Sequence, residues 1–172
     1  MKYRLIAIDL DGTVINREGT IIQSAKKAVQ HAVDSGIKVT LATGRMYQPS
    51  NHFAQELGLS VPLICYQGAL IREPFNGNVI WHKPLSVRIA QKVIETARQI
   101  ATHQYVYVDD EMYVEEITEK DEWYAQRNGV KLNLVEDFLT FLKRKPTEIA
   151  ARGKPMEIDR LITQLRRGEE SQ

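Results

Sequence analysis

The chain begins with an apolar run, Leu5-Ile6-Ala7-Ile8, that lacks polar alternation and stops at Asp9-Leu10-Asp11-Gly12-Thr13. Such an unbroken run predicts a strand over 2–8 that is covered on both faces. A polar loop, Asn16-Arg17-Glu18-Gly19, follows. Ala25, Ala28, Val29, Ala32 and Val33 then recur at helical spacing and predict a helix over 24–35, stopped by Gly36. A second strand is expected over 37–42. A second helix over 47–57 tolerates Pro49 in its first turn and closes at Gly58. The third strand is expected over 63–66. This β-α-β-α-β order implies parallel strands joined by right-handed crossovers. Leu70-Ile71 and Val79-Ile80-Trp81, separated by a turn-rich stretch over 74–78, predict a hairpin that leaves the core.

The second half has a different texture. Ser86 is a natural N-cap for a helix over 86–101 with Ile89, Val93, Ala97 and Ile100 inward. Tyr105–Val108 and Met112–Glu116 predict a hairpin around Asp109-Asp110-Glu111. Adjacent acids in a turn point apart, so a solvated turn is expected there and not a metal cluster. Thr118-Glu119-Lys120-Asp121 opens a helix. Trp123 and Tyr124 on it are expected to pack amphipathically, with a surface over substrate as the alternative role. A short helix over 135–142, a strand over 148–151 and a final helix complete the pattern. The final helix runs from Pro155 to Gly168, burying Ile158, Leu161, Ile162 and Leu165, and residues 169–172 are expected to fray.

Composition adds exclusions more than assignments. The 172 residues are 43% apolar, enough for a packed core in one domain or two small ones. A net charge of +1 gives no electrostatic reason to expect nucleic acid or an anionic membrane as partner. The basic cluster Lys143-Arg144-Lys145 reads as a solvated helix end. Cys65, the single cysteine, lies in an apolar run and is expected to be a buried free thiol. His31, His52, His82 and His103 lack ligand spacing. Acids interrupt the first apolar run, so no signal-peptide pattern is present. No uncharged apolar stretch approaches the roughly 18 residues of a membrane span. A cytoplasmic location is expected.

The candidate chemistry lies at the predicted strand ends, where ligands bind in parallel α/β proteins. Asp9 and Asp11 follow the first strand, and a turn through Leu10–Gly12 would point both into one cleft. One carboxylate can attack phosphorus. A second carboxyl group can protonate the leaving oxygen and later deprotonate water. Thr43-Gly44-Arg45 follows the second strand and offers a hydroxyl, close backbone approach and a guanidinium to phosphate oxygens. Each segment also fits an ordinary strand exit, and it is their pairing that carries the reading.

With Asp9-Leu10-Asp11-Gly12-Thr13 and Leu41-Ala42-Thr43-Gly44-Arg45 in place, the chain resembles the haloacid dehalogenase superfamily, in particular its Cof-type phosphatases. The resemblance implies a Rossmann-like three-layer α/β core with a partial parallel sheet over 1–82, and an α+β cap over 83–172. It implies a Mg²⁺-dependent phosphatase of small phosphorylated metabolites, sugar phosphates among them, working through an aspartyl-phosphate. Asp9 would be nucleophile and magnesium ligand. Asp11 would be general acid/base, with its carbonyl on the metal. Thr43 would hold the phosphoryl group, with Gly44 and Arg45 completing the phosphate site. An acid at position 11 favours phosphate chemistry over dehalogenation.

The family's lysine motif and its acidic motif after the fourth strand are not found. Their absence predicts weaker Mg²⁺ binding, and an open sheet edge beside the first strand that favours self-association or completion by another chain. A fragment, a truncated product, or a non-catalytic binding module is the alternative reading. A plain nucleotide-binding domain lacks its glycine-rich signature.

Overall fold

A computed structural model describes residues 3–169, which fall into two units. The first comprises Met1–Lys83 with Arg127–Gly129, and the second Pro84–Gln126 with Val130–Gln172.

In the first unit, β1 (Leu5–Ile8) and β2 (Lys38–Leu41) pair in parallel, joined by α1 (Gln23–Asp34). After α2 (Tyr47–Glu56), β3 (Leu63–Cys65) joins through a parallel bridge from Ala42 to Ile64. The β-α-β-α-β order therefore holds. β3 also pairs antiparallel with β4 (Leu70–Arg72), and β4 with β5 (Val79–His82). The expected hairpin is thus built onto β3 within the first unit and does not leave it. Leu10, Val14, Leu41, Leu59, Leu63 and Cys65 are fully or almost fully buried.

β1 departs from expectation. Its residues alternate between exposed and half-buried, and Leu5 is 57% exposed. Among the described residues it pairs only with β2, so nothing covers its outer side. Apolarity along the run signalled two-sided burial, but burial needs a neighbouring layer. α1 is also less covered than predicted: only Val29 is buried, and Val33 is 37% exposed.

In the second unit, four strands run in the order β8-β7-β6-β9. They are β6 (His103–Val108), β7 (Glu111–Val114), β8 (Leu132–Leu134) and β9 (Glu148–Arg152). β8 was not anticipated; three residues are too few to show a period. The helices are α3 (Val87–Gln99), α4 (Glu119–Asn128), α5 (Phe138–Phe141) and α6 (Pro155–Glu169). α6 continues past Gly168, and residues 170–172 lie outside the described residues.

The Ser86 side chain accepts a hydrogen bond from the Ile89 amide at 3.2 Å, capping α3 as expected. The buried face of α3 is Ala90, Ile94 and Ala97; Ile89 is 52% exposed. Ala97 and Ile100 are inward as expected, whereas Ala90 and Ile94 take the places expected of Ile89 and Val93. Ala90 and Ile94 pack with Val106, Val108, Phe138 and Leu142, while Ala97, Ile100 and Leu161 form a second cluster. On α6, Ile162 is 42% exposed and not inward as predicted.

The β6–β7 turn places Asp109 and Asp110 at positive φ, a conformation in which a short acidic side chain is tolerated. Asp109 pairs with Arg144, while Glu111 accepts from the Tyr113 hydroxyl. Asp110 is buried, so the turn is less solvated than the sequence implied.

Asp137 caps α5, accepting from the Thr140 amide at 2.8 Å, and pairs with Arg98. Arg98, then the Thr140 amide, hold its carboxyl down to about 2. Because this folded value lies below the ordinary carboxylate value of about 3.9, the capping contribution is complete above that pH. It should be lost as pH falls through about 2. The Thr140 amide resonance is expected to report that midpoint; a midpoint near the ordinary value would refute the pairing.

Candidate functional site

The site grows from the ends of β1 and β2. Their register sets Ile8 opposite Leu41, and the Ala42 amide donates to the Ile8 carbonyl at 2.8 Å. Asp9 therefore leaves its strand beside Ala42 and Thr43. The chain then winds into a tight turn in which Val14 and Ile15 amides both donate to the Leu10 carbonyl at 3.0 Å. Buried Leu10 anchors the turn, Gly12 takes φ +74°, and Asp9 and Asp11 stay exposed on either side. A bridge between Ile15 and Ile21 closes the polar loop as a small flap, with Asn16 Oδ1 accepting from the Thr20 amide.

Thr43 is buried, and its amide donates to the Ile64 carbonyl at 2.9 Å, tying the β2 exit to β3. Its hydroxyl accepts from the Arg45 amide at 3.2 Å. The Arg45 carbonyl takes the Tyr66 amide, and the Thr43 carbonyl takes the Gln67 amide. Tyr66 and Gln67 both adopt positive φ in a 3-10 turn over Tyr66–Gly68. A Cβ added at Gly44 would sit 2.2 Å from Gln67 Nε2, so the flexible Gln67 side chain would have to move aside. Gln67 thus borders the Thr43-Gly44-Arg45 loop.

The Arg45 guanidinium forks onto the Asp11 carboxylate, with Nε to Oδ2 at 2.8 Å and Nη2 to Oδ1 at 2.7 Å. This bidentate geometry is the strongest ordinary form of a charge-assisted pair. The two residues come from different strand ends, so the pair ties the acidic turn to the Thr-Gly-Arg loop. Asp11 is about half exposed and Arg45 largely covered. The two carboxylates, Asp9 and Asp11, offer only oxygen donors, which suits a hard cation such as Mg²⁺. The described residues hold no group of three or more acidic, histidine or cysteine ligands. Magnesium needs no such cage, since it is commonly held by one or two carboxylates with water and phosphate oxygens completing the octahedron.

Two acids follow the end of β1, and a Thr-Gly-Arg loop follows the adjacent parallel strand. Residues 6–172 match the family model described as haloacid dehalogenase-like hydrolase, and the chain belongs to that family. It is similar to the pyridoxal phosphate phosphatase YbhA of Escherichia coli strain K12, 33% identical over 118 residues, which are 69% of this chain and 43% of YbhA. It is also 28% identical over 116 residues to YitU of Bacillus subtilis strain 168, a 5-amino-6-(5-phospho-D-ribitylamino)uracil phosphatase. That match covers 65% of this chain and 42% of YitU. Among solved structures, a haloacid dehalogenase-like hydrolase from Bacteroides thetaiotaomicron superposes with a TM-score of 0.81 at 23% identity, over 95% of this chain and 63% of that one. The chain spans about two fifths of the length of these curated relatives.

Proposed function

We propose that this chain carries the nucleophile and phosphate loop of a Mg²⁺-dependent phosphatase acting on small phosphomonoesters. The observation that supports the reading is that Asp9 and Thr43 follow the paired ends of adjacent parallel strands, with Arg45 bonded to Asp11, within a haloacid dehalogenase-like chain. Residues through Lys83 would form the catalytic core and the following unit its cap.

In the proposed reaction an Asp9 oxygen attacks phosphorus and the P–O bond to the alcohol breaks. Asp11 gives its proton to the departing oxygen. Asp11 then takes a proton from water, the water oxygen bonds to phosphorus, and the acyl-phosphate bond opens to release phosphate and restore Asp9. Thr43 and the Gly44 backbone hold the phosphoryl oxygens. While Arg45 forks Asp11, that carboxylate is an acceptor only, so substrate must draw Arg45 away before Asp11 can act as an acid. A phosphate dianion is a natural competitor for the guanidinium. Asp9 and the Asp11 carbonyl would hold Mg²⁺, which supplies positive charge beside the phosphoryl oxygens.

Names of relatives support phosphorylated metabolites as substrates: pyridoxal phosphate for YbhA, and a sugar phosphate for a subclass IIB enzyme whose structure superposes with TM-score 0.79. The test is phosphate release from 4-nitrophenyl phosphate with and without Mg²⁺. Turnover that chelation removes and Mg²⁺ restores is the expected result. A folded protein that remains inert with Mg²⁺ would favour the non-catalytic reading instead.

A further inference from the structure

The second unit contains a hollow that the phosphatase reading does not use. On the β6–β9 pair, Tyr105 lies opposite Ala150 and Tyr107 opposite Glu148. Directly opposed residues share a face of the sheet. Two phenol rings therefore stand beside an alanine too small to fill the space between them. Along α4, Lys120, Trp123 and Tyr124 follow the i, i+3, i+4 spacing that puts side chains on one helix face. Together with the phenols and Arg152 they line an open hollow of about 520 Å³. This contradicts the amphipathic packing expected of Trp123, whose indole is 59% exposed.

The charge at the hollow is specific. Arg152 is already engaged, 3.3 Å from Asp121 and 5.6 Å from the Tyr105 ring centroid. Lys120 is exposed and enters none of the ion pairs seen among the described residues. Glu148, the acid on this face, is pushed toward its neutral form by burial. Burial and then the Asp121 carboxylate push the Tyr105 phenol above its usual range, so it remains an uncharged ring. Aromatic walls favour a flat ring through stacking, and an ammonium at the mouth favours a negative group attached to it.

From this we infer that the second unit binds a planar aromatic anion, with the ring between Trp123 and the Tyr105–Tyr107 floor and the anionic group on Lys120. The site lies wholly in that unit and does not depend on the phosphatase reading.

The test uses the full chain with 4-nitrobenzoate, a flat, non-hydrolysable aromatic anion that quenches indole fluorescence. Trp81 and Trp123 are the two tryptophans, so Trp81→Phe leaves Trp123 as the reporter. Saturable quenching is expected, with affinity roughly tenfold above that for neutral 4-nitrobenzyl alcohol, and no effect from acetate. Lys120→Gln, an exposed change, should bring the affinity down to that of the alcohol. Trp123→Ala should lose binding heat in calorimetry while keeping its melting temperature. Linear, unsaturable quenching would overturn the proposal. So would equal affinity for acid and alcohol, or unchanged binding in Lys120→Gln. Concentration-dependent dimers abolished by Trp123→Ala would also overturn it, by showing that a second copy covers this face. Loss of phosphate release without loss of quenching would count against the phosphatase reading alone.

Discussion

Asp9→Asn is expected to lower the turnover of phosphomonoesters by at least about 10³-fold, because it removes the one oxygen nucleophile able to form the acyl-phosphate. Asparagine preserves size and hydrogen-bonding capacity, so the exposed turn should keep its shape. The companion variant Asp11→Asn should behave differently. With 4-nitrophenyl phosphate the leaving group needs little protonation, so attack by Asp9 persists while breakdown of the intermediate stalls. A burst of 4-nitrophenolate followed by slow steady turnover is the expected trace. Wild-type steady-state rates in Asp9→Asn would remove that residue from the chemistry. A missing burst in Asp11→Asn, with Asp9 intact, would instead place Asp11 before the first chemical step.

The largest stability effect is expected at Asp121. Its side chain is fully buried at the start of α4. It accepts from the Thr118 amide at 2.8 Å, the Thr118 hydroxyl at 2.7 Å and the Tyr105 hydroxyl at 2.6 Å. His103 Nε2 lies 3.0 Å away without hydrogen-bond alignment, and Arg152 lies at 3.3 Å. Burial alone would raise this carboxyl's pKa, but hydrogen bonds from Tyr105 and Thr118 outweigh it and the net shift is downward. A depressed folded value means that Asp121 stabilises fully above the ordinary carboxylate range and that this contribution is lost on acidification below it. Asp121→Ala strands several donors at once and should cost about 3 kcal/mol, the lower end for breaking a buried charged group, since Arg152 retains solvent access. Thermal melting should fall by roughly 10 °C. Asp121→Asn, which keeps one acceptor oxygen, should fall less. Melting within about 2 °C of wild type for Asp121→Ala would show that the network contributes nothing net.

Much of this was legible locally. The motif Thr118-x-x-Asp121 read correctly as a helix start because both partners sit within one turn, as does the Ser86 cap of α3. Cys65 was expected to be buried and is. On α3, Ala97 and Ile100 were read correctly, but apolar character alone does not rank Ile89 against Ala90 or Val93 against Ile94; the packing of the helix on its neighbours does. The nearness of Gln67 to Gly44, more than twenty positions earlier in the chain, has no local signature.

By itself the sequence determined the β-α-β-α-β order of the first unit and the placement of Asp9, Asp11 and Thr43 just after its strands, since periodicity and turn chemistry act between near neighbours. Only the tertiary structure decided that Arg45 forks Asp11, that β1 stands uncovered on one side, and that Trp123 flanks a hollow and is not packed beneath it. Each of those depends on groups far apart in the chain meeting, or failing to meet, in space. Burial and ion pairing are properties of such meetings and leave no local signature.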